Sequence, residues 1–121
     1  MVKTFLVVDD SASIRQLITF VMQDAGYDVL LAENGKDALD KLNSTKVDMV
    51  ITDLNMPEMD GIELITHLRG MPDYRFVPII MLTTEAQEEK KKQGKAAGAS
   101  GWIVKPFTPE QLLSVVKKFI K

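Results

Sequence analysis

No cysteine occurs among the 121 residues, so a disulfide framework and a thiolate metal site are both excluded, while the compartment stays unread on that score. Excess positive charge is missing as well. Fifteen Lys and Arg stand against 17 Asp and Glu, a net charge of −2, which argues against a free-standing nucleic-acid binder, because that function needs a strongly basic surface. Any phosphate this chain handles must be held locally. No apolar run approaches the roughly 20 residues of a membrane span. The N-terminal run ending at Val8 is cut by Asp9-Asp10, far short of a signal-peptide core; the expectation is a soluble cytoplasmic protein without a membrane partner. Internal repeats, linkers and low-complexity tracts are absent too. What remains, 45% apolar and 26% charged, is the composition of one ordinary globular domain over residues 1–121.

Apolar periodicity divides the chain into alternating units. Residues 5–8 read as a first buried strand, and Ser11-Ala12-Ser13 signals a helix start. Ile14, Leu17, Ile18, Val21 and Met22 then recur at helical spacing until Gly26. Residues 29–32 give a second strand, Asn34-Gly35 a turn and cap, and Ala38, Leu39 and Leu42 a short second helix. A third strand spans 47–52 and ends at Asp53. Ile62, Ile65 and Leu68 mark a third helix stopping near Gly70 and Pro72, and residues 78–82 a fourth strand ending at Thr83.

The segment 85–98 is charged, with only Ala86, Ala96 and Ala97 apolar. Gly94 within it costs about 1 kcal/mol relative to Ala, which predicts a solvated, weakly packed fourth helix. Residues 102–104 form a fifth strand, ending at Lys105-Pro106. Thr108-Pro109-Glu110-Gln111 opens the last helix with a capping box and Pro at its first position; Leu112, Val115, Val116, Phe119 and Ile120 are its buried stripe.

Five strands alternating with five helices mean a doubly wound α/β sheet with all strands parallel. Parallel strands bring Asp9-Asp10, Asp53, Thr83 and Lys105 to one edge. In the flavodoxin-like order 2-1-3-4-5 the first and third strands are neighbours, so the carboxylates meet at the switch point of the sheet. Alone, Asp53 could simply begin a turn, and Asp9, Asp10 and Lys105 could form a plain ion-pair cluster. Their shared edge favours chemistry. Three crowded carboxylates repel and call for a cation; all-oxygen ligands of this kind suit Mg²⁺. Lys105 supplies a point cation and Thr83 a hydroxyl, so the set can accept a phosphoryl group on Asp53.

The motifs Val7-Val8-Asp9-Asp10-Ser11, Thr52-Asp53-Leu54-Asn55-Met56-Pro57, Met59-Asp60-Gly61, Thr83-Thr84-Glu85 and residues 98–107 together resemble the response-regulator receiver family, most of all its single-domain chemotaxis members. The resemblance runs from the first strand to the last helix. It implies a two-component signalling switch without an output domain, a phosphoacceptor and not an enzyme in the ordinary sense. Asp53 would take phosphoryl from a sensor histidine kinase, and Mg²⁺ would be bound by Asp10, Asp53 and the backbone carbonyl of Asn55, with Asp9 assisting through water. It also implies a cis Lys105-Pro106 peptide, and a switch in which Thr83 moves toward the phosphoryl group while Trp102 turns inward. The face of helix four, strand five and helix five would then bind a target such as a flagellar motor protein. A phosphatase is a further implied partner, the chain acting as a monomer, and Asn55 and Glu85 flank the site where the family tunes attack by water. Trp102 stands where chemotaxis receivers usually carry Tyr or Phe, and Lys91 and Lys92 where well-known relatives are apolar. His67 reads as a solvated helix residue and not as a phosphoryl donor.

Other classes fit less well. A flavin or nucleotide binder of this fold needs a Gly/Ser/Thr-rich phosphate loop where Asp9-Asp10 stand. An aspartate-nucleophile phosphatase acting on external substrates carries its Asp-x-Asp on the first strand, and a degenerate receiver used only for binding would not keep a complete acceptor set.

Overall fold

The computed structural model describes residues 2–84 and 88–120. Five parallel strands, β1 (Thr4–Val8), β2 (Asp28–Ala32), β3 (Met49–Asp53), β4 (Ile79–Thr83) and β5 (Gly101–Val104), lie in the order β2-β1-β3-β4-β5. They alternate with α1 (Ala12–Asp24), α2 (Gly35–Leu42), α3 (Gly61–Arg69), α4 (Glu88–Ala97) and α5 (Pro109–Phe119). This is the doubly wound flavodoxin-like plan expected from the pattern.

Period-two alternation sorts the strand residues onto two cores. Phe5, Val7, Met49, Ile51, Ile80, Leu82 and Ile103 pack with Ile18, Val21 and Met22 of α1 and Leu112 and Val116 of α5. Leu6, Val8, Val50, Ile79 and Met81 face the other way, onto Ala38 and Leu42 of α2 and Leu64, Ile65 and Leu68 of α3. Every residue of β3 and β4 is buried, as a central parallel strand covered by helices on both sides requires.

Side-chain caps fix the helix starts. Ser11, Asn34, Asp60 and Thr108 accept from the backbone N–H of Ile14, Asp37, Glu63 and Gln111, and at α5 the Gln111 side chain returns the bond to the Thr108 N–H. Each such bond satisfies a donor the helix itself leaves open. Gly26 follows α1 with φ +92°, and Gly98 follows α4 with φ +118°, the left-handed conformation that ends a helix at little cost for glycine.

Three sequence expectations need correction. Val47 is buried but precedes β3, which begins at Met49. Leu17 lies at the rim of the α1 stripe and is an exposed residue, because the stripe that meets the sheet narrows to Ile18, Val21 and Met22. Gly94 is more than a weak point in α4. It is buried, and a Cβ there would stand 2.5 Å from the Met81 Cε, so its missing side chain lets the helix approach β4 closely. The first part of the expected fourth helix, Glu85, Ala86 and Gln87, lies outside the described residues.

Candidate functional site

The strand ends that the topology gathers carry the expected groups. Asp9, one residue past β1, is fully buried. Its Oδ1 accepts the Ser11 N–H at 2.9 Å, its Oδ2 accepts from Lys105 Nζ at 3.0 Å, and its carbonyl accepts from Arg15 Nη1 at 2.6 Å. Asp53 closes β3, aligned with Leu82 of β4, and only 7% of it is exposed. Its Oδ1 accepts from the Leu54 N–H at 2.9 Å and from Lys105 Nζ at 3.1 Å. One lysine therefore bridges two buried carboxylates. Asp10 is exposed, and one oxygen from each of Asp9, Asp10 and Asp53 falls within 4.8 Å of the others.

Strand parity explains the convergence. Asp9, Asp53 and Lys105 continue the series Phe5-Val7, Met49-Ile51 and Ile103, all on the α1 and α5 side of the sheet. Thr83 continues the Ile79-Met81 series on the opposite side. It is buried, and its hydroxyl has no hydrogen-bond partner among the described residues. A buried hydroxyl without a partner is uncommon in a folded protein.

Electrostatics leave the cluster short of positive charge. Burial pushes the Asp53 carboxyl above its ordinary pKa and the neighbouring Asp9 charge adds to this, more than Lys105 and the Leu54 N–H offset. Burial opposes the Lys105 charge, but hydrogen bonds to Asp9 and Asp53 and the charges of both outweigh it and raise its pKa. Lys105 is thus held firmly as a cation between two acids. The oxygen-only donor set of Asp9, Asp10 and Asp53 suits a hard divalent cation.

The loop after Asp53 is shaped by backbone contacts. Glu58 adopts φ 69°, the Met59 N–H reaches the Pro57 carbonyl at 2.8 Å, and the Gly61 N–H reaches the Leu54 carbonyl at 2.9 Å. Asn55 is exposed within this loop. The Lys105–Pro106 peptide is cis, and the Lys105 N–H donates to the Thr83 carbonyl. Trp102 stands apart from the carboxylates on the edge strand β5, 39% exposed. A cavity of about 630 Å³ runs beside it, lined by Ile103, Val104, Lys105, Pro106, Gln111 and Val115 as well as the indole. Glu85, expected to flank the site, lies outside the described residues.

Residues 5–117 match the model of the response regulator receiver domain. The chain belongs to this family. Receivers of known structure superpose on it closely. The chemotaxis response regulator CheY4 of Vibrio cholerae is 48% identical with a TM-score of 0.95, over 99% of this chain and 100% of that one. The receiver domain of a sensor histidine kinase from Pseudomonas aeruginosa, described with a magnesium ion coordinated in its active-site cleft, is 25% identical with a TM-score of 0.89, over 98% of each chain. Among curated proteins, the phosphate regulon transcriptional regulatory protein PhoB of Escherichia coli (strain K12) is 34% identical across all 121 residues, which cover 53% of its length. The chain spans about half the length of the curated relatives it matches. Receiver domains are signalling switches of two-component systems, and the acidic edge described above is where this one carries its candidate chemistry.

Two contacts, one at this edge and one beside Trp102, were not legible beforehand. Arg15 is one helical residue among several polar ones on α1, and no local pattern marks it as the donor to the Asp9 carbonyl. Lys91 reads from sequence as part of a solvated run, yet its Nζ lies 5.8 Å from the centroid of the Trp102 ring.

Proposed function

We propose that this chain is a phosphorylatable switch in which Asp53 accepts a phosphoryl group from the phosphohistidine of a sensor kinase. The observation that carries this reading is the Asp53 carboxylate itself, buried at the switch point with its charge only partly balanced by the lysine it shares with Asp9. An Asp53 carboxylate oxygen attacks phosphorus in line as the bond from phosphorus to the donor atom breaks and the donor leaves with that electron pair. Lys105, kept charged by its two acidic neighbours, turns to a phosphoryl oxygen. The unpartnered Thr83 hydroxyl donates to another.

The donor set fits Mg²⁺, which Asp10, Asp53 and the Asn55 carbonyl would hold with Asp9 in support. Bound there, the ion supplies positive charge against the carboxylates and the phosphoryl oxygens. With Mg²⁺ and a small acyl phosphate, intact mass should show a single phosphoryl group per chain, mapped to Asp53. Chelation of the metal should reduce labelling at least tenfold, an expectation from the several kcal/mol such ions contribute. Equal labelling after chelation, or labelling elsewhere, would sink the reading.

Movement of Thr83 toward the phosphoryl group opens space on the face it shares with Val104 and Trp102, since Thr83 pairs with Val104 and Met81 with Trp102. The indole then turns inward and remodels the surface of α4, β5 and α5 for a target. The Thr83→Ala protein should label to the same stoichiometry yet lose most of the change in Trp102 emission on labelling. A full emission change in that variant would remove Thr83 from the switch.

A chemotaxis role, with a CheA-like kinase and a flagellar motor protein as target, draws support from the 48% identity to CheY4 over all of that chain. The likeness to the receiver portion of PhoB favours a second reading, a receiver of a non-chemotaxis phosphorelay. Transfer from a purified chemotaxis kinase in preference to other histidine kinases separates the two.

A further inference from the structure

We propose that Lys91 is a positioning residue for Trp102, a cationic latch that holds the indole outward on β5 until the site is phosphorylated. The latch stands on geometry; its release by phosphorylation rests on the reading above. Lys91 follows Glu88 by three residues on α4, so both project from one side of the helix. Its Nζ lies 3.3 Å from Glu88 Oε1 and 5.8 Å from the Trp102 ring centroid. The Lys91 side chain is only 12% exposed, whereas that of Glu88 is 76% exposed. Lysine on a surface helix is ordinarily solvated, and a covered one has its stem laid against an apolar surface. Here that surface is an aromatic face, and partial removal from water strengthens the attraction of a cation to the ring.

Close packing does not fix the indole where it is. Besides the 630 Å³ cavity toward α5, a second of about 340 Å³ is lined by Lys95, Ala99, Ser100, Gly101, Val115 and Phe119 together with Trp102 and Lys118. Trp102 and Val115 border both. With open space on each side, the half-exposed ring has room to leave its place, and among the described residues Lys91 is a group placed to bias it. Along β5, Val104 lies on the same face two residues on, beside Thr83, and this is the direction in which the ring moves when Thr83 is drawn toward a phosphoryl group. The charge of Lys91 thereby sets how far the unphosphorylated chain visits the inward arrangement, since a contact made in one state alone shifts the balance between the two.

Trp102 is the only tryptophan, so its emission and acrylamide quenching report this ring in the full chain. Wild type, Lys91→Met and Lys91→Arg are compared without phosphoryl donor, then with Mg²⁺ and acetyl phosphate, intact mass being recorded on the same samples. Methionine keeps much of the stem's cover and removes the charge; arginine keeps the charge. Lys91→Met should raise the inward population about two- to fivefold, the range expected for a partly exposed cation–π contact. Its unlabelled spectrum should shift toward that of the labelled wild type and its quenching constant should fall, while Lys91→Arg stays at the wild-type values. A Glu88→Gln protein, with Lys91 less firmly placed, should shift in the same direction by less. Quenching of Lys91→Met equal to or above wild type would overturn the latch and leave Lys91 as mere cover. Should the wild type take up no phosphoryl group, the phosphoacceptor reading fails, and the unlabelled comparison still decides the latch.

Discussion

The Asp53→Asn protein is expected to take up no phosphoryl group from an acyl phosphate and yet to melt above the wild type in metal-free buffer. The first half follows because the amide lacks the anionic oxygen that attacks phosphorus. The second follows from the raised Asp53 pKa, caused first by burial and then by the Asp9 charge. Below the ordinary value of 3.8 the group is protonated folded or unfolded, and it costs nothing. As pH rises past 3.8 the unfolded chain ionises first and is favoured, so stability falls until the folded group has ionised as well. Above that point the loss is complete.

The asparagine variant has no such loss, so the gap between the two melting curves opens as pH climbs from the acid range and stays open at neutrality. The sign of that gap, asparagine above aspartate, follows from the raised pKa of the folded carboxyl. Millimolar Mg²⁺ should close the gap by stabilising the wild type, since a ligand that binds only the folded state adds to its stability. Calorimetry at several pH values, with and without the ion, checks both parts. A variant that melts below the wild type without metal would refute this account of the site.

Gly61→Ala should be the most damaging single methyl group in the loop. A Cβ at this position would stand 2.4 Å from the Asp53 carbonyl oxygen and 3.0 Å from the Leu54 Cα. Both obstacles are backbone, so no side-chain rotation relieves them. The strand end that carries the acceptor must shift, or the first turn of α3 must, with loss of the 2.9 Å bond from the Gly61 N–H to the Leu54 carbonyl. Overpacking of this kind costs about 3 kcal/mol, a fall of roughly 10 °C. Labelling of the molecules that remain folded should slow by about 100-fold, the loss that follows a misplacement near 1 Å. Gly26→Ala is the control. It meets no atom within 4 Å and suffers only from φ +92°, so it should cost about 1–2 kcal/mol and leave labelling unchanged.

The strands and the gathering of Asp9, Asp53 and Lys105 at one edge were legible from local signals, whereas the order 2-1-3-4-5 came from the flavodoxin-like plan that the alternating pattern suggests. Short apolar runs mark the strands and parallel pairing puts their ends on one edge; the side of the sheet that each end residue faces came with the structure. The Asn34 and Thr108 caps announced themselves in the same way, through side chains that act within three residues. Asp60, which caps α3, was hidden in a Met-Asp-Gly run that reads equally well as a turn. The contacts that escaped are those made across the fold by long, flexible side chains. Nothing near Lys91 in the chain refers to Trp102, and nothing near Arg15 marks it as the donor to the Asp9 carbonyl six residues before it. Gly94 misled for a related reason: a glycine inside a helical pattern signals weakness unless the opposing strand is known, and here Met81 occupies the space its side chain would need.

Among the described residues Arg69, at the end of α3, gives its guanidinium to neutral acceptors alone. Nη1 reaches the carbonyls of Tyr74, Arg75 and Val77, Nε and Nη2 both reach the carbonyl of Gly98, and Nη2 also approaches the Ser100 hydroxyl. Gly98 is the residue at which α4 stops, so that helix is moored at its C-terminal end to α3 and propped near its middle where Gly94 rests on Met81. A rod moored at one end can tilt but cannot slide. If Thr83 moves as proposed, the displacement would reach α4 as rotation about Gly98, larger toward Glu88 and Lys91 than at Lys95. On that reading the outer half of the α4 surface would carry the message, and the half nearest the mooring would act as its fulcrum.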